Sequence, residues 1–331
     1  MSKQETTFFK GIALMMMLWY HLFGLEDMDD LAHHIFFIEG HSLSNLMAKA
    51  CNPVFLFLIL GGYGLYAVYQ KGQDRHHVSR LVKLYKHHWM ILLLCLPPVL
   101  LLNGRSYLGN WTNILSNLIA LDPTWNETLW FLLPYCLLSF SYPWLFKATD
   151  RLGFVASTTI TFALYIAASY MFSRHGNMVY HHGLVTLVNE TAYLSFAFYL
   201  GAAIRKYNVL THWLQHRMPL WMAVGGLVLA VAVRIGMNTR AIDPFYSCAI
   251  VLLTLQINLP RPITRFGELI GRHSMNIWMI HDWLYNTFFT SFIYGFRYPI
   301  VIFVVLLAMS LAASYAVNFL VRLTEPSQRA R

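Results

Sequence analysis

The sequence has few charged residues for its length. Asp, Glu, Lys and Arg make up 12% of its 331 residues, whereas soluble domains carry roughly 25%. The hydrophobic content is 57% and the mean hydropathy is +0.48, so there is too little polar surface to face water on all sides. These values exclude an ordinary soluble domain and indicate an integral membrane protein.

The sequence also lacks the motifs of several protein classes. It has four cysteines, all in apolar runs and without CxxC spacing, which excludes a disulfide framework. No Walker or GxGxxG motif indicates a nucleotide site, and paired histidines such as His181 and His182 have no metal-ligand spacing, so we predict no metal. No small-x-small cleavage site follows the apolar stretch 8–23, which we therefore expect to remain as a membrane span.

Long hydrophobic runs predict an all-α, polytopic membrane protein with a single domain over residues 1–331. The runs are about 20 residues long, enough for a helix to cross a hydrocarbon core of roughly 30 Å. We place about ten transmembrane helices, at residues 8–25, 46–69, 87–103, 128–146, 153–172, 184–204, 218–237, 242–259, 274–292 and 299–321. The stretch 113–125 is too short to span, and we expect it to be interfacial or re-entrant.

The net charge of +9 is explained by topology rather than by nucleic-acid binding. If the N-terminus is cytoplasmic, 18 of the 24 Lys and Arg residues fall on the cytoplasmic side and four on the other. The acidic stretch 26–30 falls on the outer side. Since cytoplasmic loops are enriched in basic residues, this pattern predicts an even number of spans and cytoplasmic N- and C-termini, with membrane lipids and no nucleic acid as partners.

Two ionisable residues, Lys10 and His21, lie in the first predicted span. Eleven residues at 100° each make three turns plus about 20°, so both side chains share one helix face, about 16 Å apart along the axis. Ionisable groups within spans are costly and often functional, and these two can line one passage through the membrane. Alternatively, Lys10 extends to the lipid headgroups and His21 hydrogen-bonds inside the bundle.

Several stretches resemble the acyltransferase family 3 membrane proteins. Residues 9–21, which include Lys10, Gly11 and His21, resemble the family's first helix, with an arginine, often followed by glycine, and a histidine eleven positions later. Residues 52–63 (NPVFLFLILGGY) look like "PLFFxxSGY", residues 80–83 (RLVK) like a cytoplasmic Arg-x-x-Arg, residues 129–132 like "LWFL" and residues 270–281 (IGRHSMNIWMIH) like "LGxxSxxIYxxH". The matches occur in order and span nearly the whole chain.

The sequence departs from the family pattern at three places. Lys10 stands where the family usually has arginine, and Lys83 replaces the second arginine of the loop motif. Lysine keeps the charge but loses the two-point geometry of the guanidinium group. Gly61 and Gly62 replace the usual Ser-Gly, which removes a hydroxyl. These differences leave room for a different acceptor or acyl donor.

The resemblance implies an O-acyltransferase, most often an O-acetyltransferase, of the bacterial inner membrane. Cytoplasmic acyl-CoA, in most cases acetyl-CoA, would be the donor and a hydroxyl of a cell-envelope glycan or polysaccharide the acceptor. The reaction needs a base for that hydroxyl, and histidine, with an unperturbed pKa of about 6.5, is suited to it. We assign the catalytic site to His21 and Lys10, with His21 either as general base or as a covalent acyl acceptor.

Arg80 and Lys83 are the predicted contacts for the CoA phosphates. Any short cytoplasmic loop is basic, however, so their positions alone also fit a purely topological role. In the ninth span, Ser274 and His281 belong to one polar and aromatic stripe with Trp278 and Tyr285. That stripe is expected to face the bundle interior, where Ser274 and His281 are candidates for substrate binding. Alternatively, His281 supports His21 or packs as a core residue.

Trp130 and Glu127, at the outer mouth of the fourth predicted span, are candidates for acceptor binding, by stacking on a sugar and by hydrogen bonding. The Glu127 carboxylate alternatively orients His21. Trp is also enriched at membrane interfaces for lipid reasons alone. Glu190 and Arg234, both within spans, receive no role. The oligomeric state is open, with a homodimer as one option.

Two other functions fit the same composition. Intramembrane charges suit a secondary transporter or flippase for a small anion or glycan, but the paired halves typical of transporters are absent from the sequence. The lysines at the two arginine positions favour the other alternative, a non-catalytic assembly subunit. The acyltransferase remains the preferred hypothesis.

Overall fold

The computed structural model of the protein describes residues 1–72, 77–176, 183–237 and 239–324, without the side chain of His77. His181 and His182 lie outside the described residues, as does the C-terminal stretch 325–331. The predicted cytoplasmic position of the C-terminus therefore stays a prediction.

The described chain is almost entirely helical, as the composition predicts. Its α-helices are α1 (Lys3–Phe23), α2 (Glu26–Asp29), α3 (Leu43–Lys49), α4 (Pro53–Gln70), α5 (His77–Asn103), α6 (Trp111–Ile119), α7 (Leu132–Arg174), α8 (Leu184–Lys206), α9 (Val209–Gln215), α10 (Leu220–Met237), α11 (Asp243–Thr254), α12 (Arg261–Asp282), α13 (Thr290–Tyr294) and α14 (Pro299–Leu323). Short 3₁₀ turns cover Arg105–Leu108, Glu127–Leu129 and Arg240–Ile242, and a π-helical turn covers Trp283–Phe288. Two short strands, β1 (Phe37–Ile38) and β2 (His41–Ser42), pair antiparallel.

Several helices have the length and composition of membrane spans. In the described part of the chain, five stretches are long and apolar enough to cross a bilayer: Leu43–Gln70, Val78–Asn103, Glu127–Arg174, Leu220–Met237 and Pro299–Leu323. A helical protein with several apolar spans is thus confirmed. The number of ten and the orientation of the N-terminus stay predictions.

Three predicted spans do not coincide with single helices of the structure. The spans at 128–146 and 153–172 form one helical stretch, α7, which is kinked at Gly153, where φ is 79°. The span predicted at 274–292 covers only part of a longer helical stretch, because α12 begins at Arg261 and the π-helical turn Trp283–Phe288 directly follows its end at Asp282; the position of the span stays a prediction. The first half of α12 carries charged residues on an exposed face, and hydropathy does not detect such an amphipathic helix.

Helices α1 and α12 lie in close backbone contact through three glycines. A side chain at Gly11 would collide with the carbonyl of Gly267, and one at Gly271 would collide with the carbonyl of Thr7. Small residues allow membrane helices to approach closely, which maximises van der Waals contact. This contact fixes the position of α12 against α1 along the first half of both helices.

We expect Gly271→Ala to destabilise the fold. The added methyl group must push α1 away from α12, and overpacking of this kind costs about 1–3 kcal/mol. Gly225→Ala, in the middle of α10, is the matched control, because nothing lies within 4 Å of a Cβ built there. Thermal unfolding of the two detergent-purified variants measures the difference, and equal unfolding temperatures would contradict this account of the α1–α12 contact.

Candidate active site

A cavity of about 640 Å³ lies at the end of the bundle where α1 stops. Its walls come from the last turns of α1 and α10, the first turns of α4, part of α8 and residues 121–131. The aromatic side chains of its wall include Tyr20, Trp130, Phe131, Tyr193 and Trp278. The charged side chains include Lys49, Asp122, Glu127, Glu190, Arg234 and Arg240. Aromatic walls with a few convergent polar groups are typical of sites for small organic ligands.

His21 lines this cavity and is hydrogen-bonded to His281 behind it. His21 Nδ1 and His281 Nε2 are 2.6 Å apart. The two rings are nearly parallel, with an interplanar angle of 4° and centroids 4.9 Å apart, as expected for an N–H···N bond that lies close to the plane of both rings. His281 is fully buried, so only His21 faces the cavity.

The partners of His281 fix the tautomers of both rings. His281 Nδ1 lies 2.8 Å from the carbonyl oxygen of Trp278 and 3.2 Å from that of Ile277. Carbonyl oxygens only accept hydrogen bonds, so Nδ1 carries the proton and Nε2 of the neutral ring is an acceptor. His21 Nδ1–H then donates to His281, and the lone pair of the neutral His21 ring lies on Nε2. A lone pair on a cavity-lining imidazole is what a general base needs.

Both histidines sit in the last turns of helices that are held in place. The final carbonyls of a helix lack partners inside the helix. At the end of α1, Tyr294 Oη donates to the carbonyl of Leu22 at 3.0 Å, and Asn45 Nδ2 donates to that of Phe23 at 2.9 Å. The end of α1 is thereby fixed, and the orientation of His21 with it.

Trp130 and Glu127 also line the cavity, as does Trp278. Trp278 Nε1 donates to the carbonyl of Thr128 at 3.0 Å and its ring packs against Phe131 with centroids 4.4 Å apart. The turn that carries Glu127 and Trp130 is therefore anchored to α12. The structure brings these two predicted residues and His21 around one cavity.

The predicted stripe on α12 faces the protein interior. Ser274, Trp278, His281 and Tyr285 are all buried. Trp278 reaches the cavity wall and His281 supports His21, whereas Ser274 lies outside the cavity lining. The direction of the stripe is therefore as predicted, but the structure places Ser274 away from the other candidate site residues.

Lys10, Arg80 and Lys83 form a separate basic region toward the other end of α1. Arg80 is close enough to Lys10 for the two charges to interact, and Arg80 and Lys83 are exposed. Within the described chain, the hydrogen bonds and ion pairs include none to any of these three side chains. The cavity lining includes none of them, so the structure brings Lys10 to Arg80 but not to His21.

One polar cluster at the cavity wall was not predicted from the sequence. Arg234 Nε donates to Asp243 Oδ1 at 2.5 Å, and Asn52 Nδ2 donates to Asp243 Oδ2 at 2.5 Å. Arg234 was visible as a charge within a span, and Asn52 precedes the Pro of the second motif. Asn52 and Asp243 are 191 positions apart in the sequence, a separation that no local sequence pattern covers.

The structure combines helices of membrane-spanning length with a cavity that one member of a hydrogen-bonded histidine pair lines. This combination indicates a membrane protein that binds a ligand or carries out a reaction within its helix bundle. The sequence matches the model of the family described as "Acyltransferase domain" over residues 6–319. The chain therefore belongs to this acyltransferase family, and the resemblance in its motifs is confirmed. No curated protein and no solved structure matches the chain.

Proposed function

We propose that the protein is a bacterial inner-membrane O-acetyltransferase that moves the acetyl group of acetyl-CoA to a hydroxyl of a cell-envelope glycan. The observation that carries this proposal is the His21–His281 pair, which leaves an imidazole lone pair at the wall of an internal cavity. Membership of the acyltransferase family supplies the reaction class.

In the proposed reaction, His21 acts as the general base. Its Nε2 takes the proton of the acceptor hydroxyl while the hydroxyl oxygen forms a bond to the thioester carbonyl carbon. The carbon–sulfur bond then breaks, and the CoA thiolate takes the proton from the His21 imidazolium. The products are an O-acetyl ester and free CoA, and His21 returns to its starting form. A covalent acetyl-histidine is the competing route.

His281 is the positioning residue in this scheme. When His21 takes a proton, both of its ring nitrogens carry hydrogen, and Nδ1–H remains bonded to His281 Nε2. A hydrogen bond from a charged donor is stronger than one from a neutral donor, so the pair favours the protonated His21 that forms during transfer. Because His281 Nδ1 is held by backbone carbonyls, the pair keeps its geometry throughout.

The two substrates approach from different sides in this proposal. Lys10, Arg80 and Lys83 hold the phosphates of CoA, with the thioester end directed along α1 toward His21, about 16 Å away. In the cavity, Trp130 stacks on the acceptor sugar, and the Glu127 carboxylate accepts hydrogen bonds from its hydroxyls. The absence of acidic partners for the three basic side chains within the described chain supports an anion site.

A transfer assay on membranes tests the proposed function. Membranes that contain the protein are supplied with radiolabelled acetyl-CoA, and label is counted in the glycan fraction before and after mild alkali, which releases O-acetyl esters. Alkali-labile label that depends on the protein supports the proposal. Label that accumulates on the protein itself would favour the acetyl-histidine route, and uptake of glycan without labelling would favour a transporter.

We expect Arg80→Ala and Lys10→Ala to weaken acetyl-CoA binding. Each removes a charged hydrogen bond to a phosphate, worth about 1.5–3 kcal/mol, or roughly a tenfold to hundredfold change in Kd. Lys71→Ala is the control, since Lys71 is also exposed beyond the end of a span. Isothermal titration of purified protein measures Kd. If both variants and the control bind equally well, the basic region serves topology alone.

A further inference from the structure

Arg234 lines the cavity and has a side-chain donor without a partner. The residue is 8% exposed, and its Nη1 is enclosed without a hydrogen-bond partner in the described structure. Its Nε is bonded to Asp243, which is fully buried. Leaving a buried charged donor unsatisfied is costly, and such a group in a native structure calls for a partner. Because Arg234 is among the residues of the cavity wall, a ligand in the cavity can bind its guanidinium group.

The charges around Arg234 favour a negatively charged ligand. Asp243 balances one positive charge from behind, while Arg240 and Lys49 add two more at the cavity wall. The cavity wall also carries carboxylates: Glu190 has Asp122 as a charged neighbour, and Glu127 lies close enough to Asp282 for the two groups to interact. Three cationic side chains, Lys49, Arg234 and Arg240, thus line the cavity together with the carboxylates of its wall.

We propose that the acceptor carries an anionic oxygen group, a carboxylate or a phosphate, which binds the guanidinium group of Arg234 in the cavity that Arg240 and Lys49 also line. This inference rests on the proposed function and defines its acceptor as an acidic glycan. Guanidinium groups suit these anions because their N–H donors match the spacing of carboxylate and phosphate oxygens. Arg234 and His21 line the same cavity, so an anchored acidic group presents a sugar hydroxyl to His21 Nε2.

The Arg234–Asp243–Asn52 cluster fits this role. Asn52 Nδ2 and Arg234 Nε occupy the two oxygens of Asp243, which fixes the direction of the guanidinium group. A fixed donor loses little conformational freedom when a ligand binds. The cluster joins the start of α4 to α10 and α11, so it also sets the width of this part of the cavity.

Binding of three probes to the full-length protein in lipid nanodiscs tests the inference. The probes are methyl glucuronoside, methyl glucoside 6-phosphate and the neutral methyl glucoside, each titrated without acetyl-CoA. We expect at least one charged probe to bind about tenfold or more tighter than the glucoside. The charged probe that binds more tightly shows whether the site prefers a carboxylate or a phosphate. Equal binding of charged and neutral probes, or no binding of any, would overturn the inference.

Matched variants assign the preference to the cluster. Arg234→Gln combined with Asp243→Asn removes the guanidinium group without leaving a buried carboxylate unpaired, and we expect it to abolish the preference for charged probes. Arg105→Gln, an exposed residue outside the cavity lining, makes the same charge change as Arg234→Gln and is expected to keep it. Should the double variant not fold, Lys49→Gln is expected to reduce the preference about threefold or more.

If the folded double variant still prefers charged probes, the anion site is refuted. If the double variant does not fold, an unchanged preference in Lys49→Gln refutes it instead. Acetyl transfer from radiolabelled acetyl-CoA is measured separately on the same preparations. Transfer to glycan with no preference for charged probes refutes the anion site and keeps the proposed function. Preferential binding of charged probes without any acetyl transfer keeps the anion site and refutes the proposed function.

Discussion

His21→Ala is expected to yield an inserted, folded protein that has lost acetyl transfer. Removal of the imidazole leaves no side chain that can take the hydroxyl proton at this point of the cavity, because His281 is fully buried behind the position of His21 and does not line the cavity. Loss of a general base lowers the rate by about 10²–10⁴-fold. Radiolabel transferred per folded molecule, with the folded fraction taken from size-exclusion chromatography, measures the effect.

His212→Ala is the control, since His212 is exposed on α9 and outside the cavity lining; it should transfer acetyl at the normal rate. A purely structural role for His21 makes the opposite forecast: lower yield and stability, with normal turnover by the molecules that do fold. Near-normal turnover of folded His21→Ala would refute the catalytic assignment.

The helical fold could be predicted from the sequence because long apolar runs have one stable solution in a bilayer. Composition predicts the class of protein, and the apolar runs predict helices such as α8 and α14 to within a few residues. Hydropathy misses the first half of α12, where charged residues on an exposed face along residues 261–272 make the helix amphipathic. Helices that pack against other helices need not be apolar all round.

The site was only partly predictable. Spacing placed Lys10 and His21 on one face of α1, and the polar stripe placed His281 on the inner face of α12. Neither pattern predicts that His21 and His281 touch, because the contact joins residues 260 positions apart. It depends on the close approach of α1 and α12 at Gly11 and Gly271, which only tertiary structure shows. The Arg234–Asp243 pair was missed although its partners are only nine positions apart, because they belong to different helices, α10 and α11, whose packing the sequence does not show.

His281→Phe is expected to lower kcat about tenfold to a hundredfold and to leave KM for acetyl-CoA nearly unchanged. Phenylalanine keeps a ring in the buried site but cannot accept the hydrogen bond from His21 Nδ1–H, which then has no partner when His21 carries its extra proton. A lost hydrogen bond to a charged group costs about 1.5–3 kcal/mol. Because His281 lies behind His21 and outside the cavity lining, substrate binding should be preserved. Steady-state kinetics per folded molecule give both constants.

His281→Gln separates positioning from packing. Its side-chain oxygen can accept the hydrogen bond from His21, so part of the lost kcat should return, although glutamine lacks the imidazole's fit to the carbonyls of Ile277 and Trp278. If His281 acts only through packing, kcat of His281→Phe should be at least as high as that of His281→Gln, because phenylalanine fills this buried, aromatic-lined position at least as well as glutamine. A kcat for His281→Gln no higher than that for His281→Phe, in equally stable proteins, would show that the hydrogen bond between the two rings does not support the reaction. Recovery of kcat by the residue that packs worse but accepts the bond would identify that bond as the contribution of His281.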